Sequence, residues 1–439
     1  MPVSGVSPAR RVAAAVLRRV EQDGAYADRA LAAEATRASL DSRERAFATQ
    51  LAYGAVQRRR TLDHVIAACA GRPVERLDPP VRDALRLGVL QLLFLDGVAP
   101  HAAVDQSVEL AKAAGGPGFK LVNAVLRRAG REGPGLLASL DDATPHGAAL
   151  RHSVPDWLAE LWWDALGPDE ARALLAVVNE PAESALRVNA LAADPDAVRA
   201  QLAERGIDVL PAPPALEGVP LPEGVVLGTP FDPSADPLWD AGALAAQSRA
   251  AMSAARLLDP QRGSRVLDLC AAPGGKATHL AALVGAEGEV VAVERNPRRA
   301  DQLRRTVERL RAESIVRVET ADAAAPRTDG PFDAVLADPP CSGLGTLQGR
   351  PDLRWRVRPK AIEQLAQLQL EILAAGARAL KAGGALVYCT CTISPQENER
   401  VLERFLAREP QFALERRAAT LPHRAGTDGF FYARLRRSV

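Results

Sequence analysis

The sequence predicts a multidomain protein, with an all-helical N-terminal domain, a small αβ connecting domain and a C-terminal α/β domain on a mainly parallel sheet. Three observations carry this expectation. Residues 8–130 hold apolar positions at helical spacing and no alternating strand run, a proline-dense stretch occupies 211–237, and beyond 241 apolar strand patterns alternate with helical ones. At 439 residues the chain also exceeds the size at which one hydrophobic core usually stops growing. We place the domains at residues 1–135, 150–240 and 241–439.

In the first domain Val12, Leu17 and Val20, then Val81, Leu85, Val89, Leu90 and Leu93, recur three and four apart. Asp41 or Ser42 is expected to open the helix through Phe47 and Leu51, and Gly115, Gly116 and Gly118 to break a later helix pair. Residues 130–150, with EGPG and DDATPHG, read as a linker. The second domain shows a helix around DWLAELWWDAL, a short strand ALRVN and a helix DPDAVRAQLAERG. Proline excludes a helix over 211–237.

Composition removes several classes of function. Hydrophobic residues make up 47% and charged residues 25%, and no run approaches the roughly 18 apolar residues of a membrane span. The opening MPVSGVSPARRVAAAVLRRV imitates a signal peptide, but arginines at helical spacing break its apolar stretch, so a cytoplasmic protein is expected. The net charge of +1 leaves nucleic-acid affinity to local patches. Arg58, Arg59 and Arg60 form one, the stretch RPDLRWRVRPK with Arg350, Arg354 and Arg356 a second, and ARLRR near the end a third; each competes with the plainer reading of a solvated face. Trp355 reads as a base-stacking or a packing residue. Five cysteines make no disulfide framework, and the six histidines supply no ligand pair at short spacing beside Cys389 and Cys391, so no metal is expected.

Three motifs carry chemistry. In SRVLDLCAAPGGKATHLAALV a strand over 266–269 leads into a small-residue turn and a helix beginning near Lys276, which suits a nucleotide-like ligand at a helix N-terminus. A Walker loop would need Gly at 270 and Ser or Thr at 277, where Cys270 and Ala277 stand, and the GxGxxG of a dinucleotide site is absent. About twenty residues on, EVVAVE ends at Glu294, where an acid would bond ribose hydroxyls. The strand PFDAVLADPPCSG then puts Asp338, two prolines and Cys341 past its C-terminal end. Last, ALVYCTCTISPQENERVLERFL reads as a buried strand ending over 389–392 and a helix with Pro395 at its first position and Ser394 and Glu397 as its capping box. That would set Cys391 ahead of a helix N-terminus, whose partial charge favours a thiolate.

Together DLCAAPGGKATH, ADPPCSGLG, LVYCTCTISPQENE and the terminal DGFFYARL closely resemble the bacterial RNA cytosine-5 methyltransferases of the Sun family, while ARRVAAAVLRRV, RERAFATQLAYGAVQRRRTLD and KLVNAVLRR are similar to a NusB-type RNA-binding domain. The combination, over nearly the whole chain, resembles members that modify small-subunit ribosomal RNA. The resemblance implies a NusB-like first domain, a Rossmann-like methyltransferase domain and S-adenosylmethionine as donor. It also implies a ribosomal RNA partner, no membrane and a monomer. It assigns the donor to Cys270, Ala271, Ala272, Pro273, Gly274, Gly275, Lys276, Glu294, Asp322 and Asp338, with Asp338 also facing the cytosine. Cys391 is implied as the nucleophile and Cys341 as the residue assisting product release. A thiolate suits this chemistry because cytosine C5 becomes nucleophilic only after addition at C6. Where the family often has Gln-Asp before the donor turn, this chain has Gln247-Ser248; Gln348-Gly349-Arg350 precedes PDLRW, and Cys389 replaces a commoner alanine.

Two other functions compete. An exocyclic-amine methyltransferase would need an aromatic residue at position 341. A NusB-like RNA-binding factor with an inactive methyltransferase half would not need intact CAAPGGK, DPPC and TC motifs.

Overall fold

Capping chemistry sets where helices begin. Asp41, extended, accepts from the Glu44 amide at 2.8 Å and opens Ser42–Gln57, as the sequence predicts. Thr144 caps Pro145–Arg151 in the same way, accepting from the Gly147 amide at 3.1 Å with Pro145 at the first helical position. The expected linker over 130–150 is largely helical instead: Gly118–Ala138 runs through Pro134, and 139–144 are all that separate it from Pro145–Arg151. Packing overrides the local breakers there, since a Cβ on Gly133 would lie 2.7 Å from Leu93 Cδ1.

The computed structural model describes residues 5–229 and 231–439; the start of the signal-like segment lies outside them. The chain forms two compact units, residues up to 180 together with 347–356, and residues 181–346 together with 357–439. The first is all helical. Leu51, Leu62, Ile66, Leu85 and Leu126 are among its fully buried side chains. The segment 150–240 divides between the units, its helices Asp156–Leu166 and Pro168–Val177 in the first and its strands in the second.

The second unit carries two sheets. Strands β1 (Ala185–Val188), β2 (Val209–Pro211), β3 (Gly224–Leu227) and β4 (Leu244–Ala246) form an antiparallel sheet in the order β2-β3-β1-β4. Strands β5 (Arg265–Leu269), β6 (Glu289–Val293), β7 (Val316–Glu319), β8 (Phe332–Ala337), β9 (Leu380–Thr390), β10 (Phe412–Thr420) and β11 (Phe430–Arg437) form the larger, ordered β10-β11-β9-β8-β5-β6-β7. Pairs among β5 to β9 are parallel, and β11 is antiparallel to both β9 and β10. The near-continuous apolar runs of β5, β6 and β8 are what a sheet covered on both faces requires. In β11 alternate residues serve opposite faces: Phe430 and Tyr432 join one core, Phe431, Ala433 and Leu435 the other. All five parallel strands end on one edge, where open α/β sheets bind ligands.

Behind that edge lies a buried charge cluster. Glu223 meets His279 at 2.7 Å and pairs with Arg256, with the His279 side chain 1% exposed. Burial pushes the His279 imidazole down to about 4 from its ordinary 6.5. An unfolded chain therefore binds a proton between these two values that the folded chain refuses, and folding stability falls as the pH drops through that window. We predict that His279→Gln removes of the order of 3 kcal/mol of this pH dependence between pH 7 and pH 4, read from urea midpoints. An unchanged slope would mean that the imidazole binds its proton equally well in the folded and unfolded chains.

Candidate active site

The end of each parallel strand contributes one group. After β5, Cys270 takes a positive φ of 66° and the turn 270–274 leads into the helix Gly275–Val284. Gly274, at φ 113°, admits no side chain, since a Cβ there would lie 2.9 Å from Leu303 Cδ1. A Cβ on Gly275 would instead make only ordinary contact, with Gln247 Oε1 at 3.7 Å. After β6 comes Glu294, 4% exposed; its Oε1 accepts from the Asn296 amide at 2.8 Å, while Oε2 has no hydrogen-bond partner and only Arg299 at 3.4 Å. Past β7, Asp322 is exposed and its Oδ1 accepts from the Ala324 amide at 3.0 Å.

After β8, Asp338 accepts from Lys276 Nζ at 2.7 Å on Oδ2 and faces the buried Cys389 thiol at 3.6 Å on Oδ1. Asp268, fully buried on β5 beneath them, has neither carboxylate oxygen bonded, and burial, then the Asp338 charge, push its carboxyl well above the usual range. Burial alone would lower the Lys276 ammonium, but Asp338 outweighs it and holds Lys276 above the ordinary lysine value, with Cys389 and Cys391 adding to the same effect.

After β9, Cys391 Sγ lies 3.2 Å from Cys341 Sγ, and both residues are partly exposed. The adjoining Cys391 sulfur, then burial, hold the Cys341 thiol well above the ordinary thiol range. The expected helix N-terminus is not beside Cys391. Residues 395–398 are turns and the helix is Glu399–Arg408. Ser394 and Glu397 form no capping box, because Glu397 reaches across to the Cys341 loop, accepting from the Ser342 amide at 2.8 Å and the Ser342 hydroxyl at 2.5 Å. Gly345 donates to the Cys391 carbonyl at 3.0 Å and accepts from Gly429 at 2.8 Å, which ties in the terminal DGFF turn.

Sequence reasoning missed the supports of this edge. Arg187 on β1, fully buried, donates to Gln247 Oε1 at 2.8 Å and to Thr278 Oγ1 at 2.9 Å, bracing the helix behind Lys276. Ser248 caps Arg249–Leu258 by accepting from the Ala251 amide, so the Gln247-Ser248 departure has a structural use. Nothing at short spacing announces either.

The arginines expected to meet RNA mostly have other work within the helical unit. Arg354 is fully buried and donates to the carbonyls of Gln57, Ser153, Val178 and Leu347 and to Asn179 Oδ1 at 2.6 Å; it is a structural brace and has no free N–H fork for a phosphate. Trp355 donates to the Val56 carbonyl at 2.8 Å with the Arg59 guanidinium over its ring, so it packs. Arg58 stacks on Phe94, Arg60 pairs with Asp156 at 2.8 Å, and Arg356 donates to the Gly24 carbonyl at 2.7 Å. Of the six, Arg350 alone is exposed. We predict that Arg354→Ala, by orphaning those buried acceptors, lowers stability by about 3–5 kcal/mol in urea unfolding. A loss of RNA affinity at unchanged stability would return Arg354 to the surface role.

Among the described residues no cluster of His, Cys, Asp or Glu could hold a metal, and no helix is long and apolar enough to cross a membrane.

A family model described as 16S rRNA methyltransferase RsmB/F matches residues 255–436, one for the NusB family matches 7–131, and a ferredoxin-like domain of RsmF/B-like methyltransferases matches 154–227. The chain is 39% identical over 444 residues to the ribosomal RNA small subunit methyltransferase B of Thermus thermophilus, covering 98% of this chain and 97% of that one. It is 37% identical to the probable ribosomal RNA small subunit methyltransferase B of Synechocystis, over 98% and 99% of the two chains. Its fold is similar to the crystal structure of PH0851, with TM-score 0.79, 29% identity and coverage of 98% and 99%. The family's methyl donor is S-adenosylmethionine, and Glu294 Oε2, buried and accepting no hydrogen bond, fits a hydroxyl of such a nucleoside at the donor turn. A helical NusB-type domain, a ferredoxin-like sheet and a mainly parallel methyltransferase sheet stand together in one chain, and it belongs to the RsmB/F family of 16S rRNA methyltransferases.

Proposed function

We propose that this protein methylates carbon 5 of a cytosine in 16S ribosomal RNA through a covalent bond from Cys391 to C6. The observation that carries the reading is the meeting of the Cys391 and Cys341 sulfurs at 3.2 Å beside the Lys276–Asp338 pair. Bound S-adenosylmethionine supplies an electrophilic methyl group on a sulfonium. Residues 270–276, Glu294 and Asp322 hold the donor, and Asp338 serves both donor and cytosine. The half-buried Lys276 ammonium and Asp338 carboxylate offer a hydrogen-bond donor and acceptor to the edge of a base taken out of its stack.

The Cys391 sulfur forms a bond to C6, and the C5=C6 electron pair makes C5 the nucleophile that takes the methyl group. The methyl–sulfonium bond breaks as C5 takes the methyl group; the C5 proton then passes to water at the half-exposed edge, the electrons of its bond restore C5=C6, and the C6–S bond breaks to return the thiolate. Cys341, its sulfur 3.2 Å from that of Cys391, stands within reach of that second stage. Exposed Arg350 is a phosphate contact in this reading. Ribosomal RNA as substrate fits a cytoplasmic protein. A sulfur pair where an amine methyltransferase needs an aromatic ring disfavours that rival, and an intact donor turn disfavours an inactive relic.

Incubating Cys341→Ala protein with S-adenosylmethionine and unmodified 16S rRNA should accumulate a protein–RNA adduct stable to denaturation. Cys391→Ala should form none and lose methylation by at least about 1000-fold. Nucleoside mass spectrometry that places the methyl group on nitrogen would sink the reading.

A further inference from the structure

The separation of the two sulfurs is held by groups that touch neither of them. Cys341 and Cys391 lie on different loops, each flanked by residues of one buried hydrogen-bond network. Ser342, beside Cys341, donates its amide and hydroxyl to Glu397 and meets Thr392 Oγ1 at 2.6 Å. Thr390, the other neighbour of Cys391, donates to Asn398 Oδ1 at 2.5 Å, and Asn398 Nδ2 donates back to the Thr392 carbonyl at 3.0 Å. Gln369 adds an amide bond to Glu397 Oε1 at 3.0 Å and another to the Pro340 carbonyl at 2.9 Å, and Tyr388 donates to the Glu397 main-chain carbonyl.

Glu397 is 0% exposed and has no cationic partner among these contacts. A buried carboxyl without a counter-charge is costly, and burial pushes its ionisation above the usual carboxylate range. A group held at that cost, taking three donors from two other segments, is a clamp for those segments.

We infer that Glu397 is a positioning residue for the methyl transfer, a buried clamp that fixes the Cys341 loop against the Cys391 loop and so sets the two sulfurs at working distance. The inference rests on the cysteine roles proposed above. Its effect falls on the chemical step and not on donor binding, because the donor turn 270–276 makes no hydrogen bond to Glu397. Small displacements of reacting groups are enough to cost about 100-fold in rate.

The test compares Glu397→Ala, Glu397→Gln and Cys391→Ala in the full chain. Steady-state methylation of 16S rRNA gives kcat and KM, and calorimetry gives S-adenosylmethionine affinity. A third measurement needs no catalysis. The diazene oxidant diamide takes two electrons and two protons from Cys341 and Cys391 and becomes a hydrazine as their S–S bond forms; peptide mapping follows the rate of closure. Glu397→Ala should lose about 100-fold in kcat with KM and donor affinity unchanged, and should close the disulfide more slowly. Glu397→Gln, which keeps an acceptor for Ser342, should recover part of both. Wild-type kcat and closure rate in Glu397→Ala would overturn the inference, as would equal losses in kcat and donor affinity at an unchanged closure rate. If Glu397→Ala does not fold, Ser342→Ala severs the same link and is read by the same criteria. Failure of the cysteine reading is distinct: Cys391→Ala would then still methylate C5, whatever Glu397 does to disulfide closure.

Discussion

The approach of Cys341 and Cys391, 50 residues apart in the chain, is the constraint on which the rest of the second unit depends. Parallel pairing of β8 with β9 brings the two strand ends side by side, because Ala337 and Tyr388 are in register. Each cysteine then follows its strand by a few residues and turns over the same edge. The sheet alone does not fix the sulfurs. The Cys341 loop is bonded at Ser342 to Glu397, at Gly345 to the Cys391 carbonyl and to Gly429, and a side chain on Gly345 would collide with the Gly429 carbonyl. Segments from β8, β9 and the β10–β11 turn thus share one set of backbone bonds.

What could be read from the sequence was whatever depends on nearest neighbours. The donor turn, the strand before it and the helix after it lie within one stretch, so their pattern survives as a motif. The same holds for the Asp41 cap and for Asp338 at the end of an apolar strand. Three-residue spacing misled at Ser394 and Glu397, which have the pattern of a capping box, because the Ser342 amide and hydroxyl compete for the same carboxylate and win it. The 130–150 stretch misled in the opposite sense. Proline and glycine there are local breakers, but Gly133 fits against Leu93 and the helix continues. Arg187 and its partners were invisible, since a 60-residue separation between Arg187 and Gln247 leaves no trace in spacing.

The arginine run shows how charge patterning fails when burial is unknown. RPDLRWRVRPK looks like a phosphate-binding stretch, yet residues 347–356 fold into the helical unit and leave the second unit to continue from 357. Burying Arg354 costs its full hydration, and its guanidinium is lowered to about 9 by that burial. That cost is offset by acceptors at both terminal nitrogens, which the carbonyls of Gln57, Ser153, Val178 and Leu347 provide together with Asn179, while Nε is left without one. Exposure therefore separates Arg350 from Arg354, four positions away in the same run.

Charge counting at the donor edge explains how two acids and one lysine coexist there. If Asp268 and Asp338 were both ionised beside Lys276, a net negative charge would sit at the edge where the proposed mechanism forms a thiolate, and it would oppose that thiolate. Burial without any hydrogen bond favours the neutral form of Asp268, while Asp338 pairs with Lys276 at 2.7 Å. The ion pair is then neutral as a whole, with the Cys389 thiol against its Asp338 end. In the proposed mechanism the Cys391 thiolate meets a cation that Asp338 holds in place. The depth of Asp268 in β5, between Leu267 and Leu269, is thus as much a part of the chemistry as the residues at the rim.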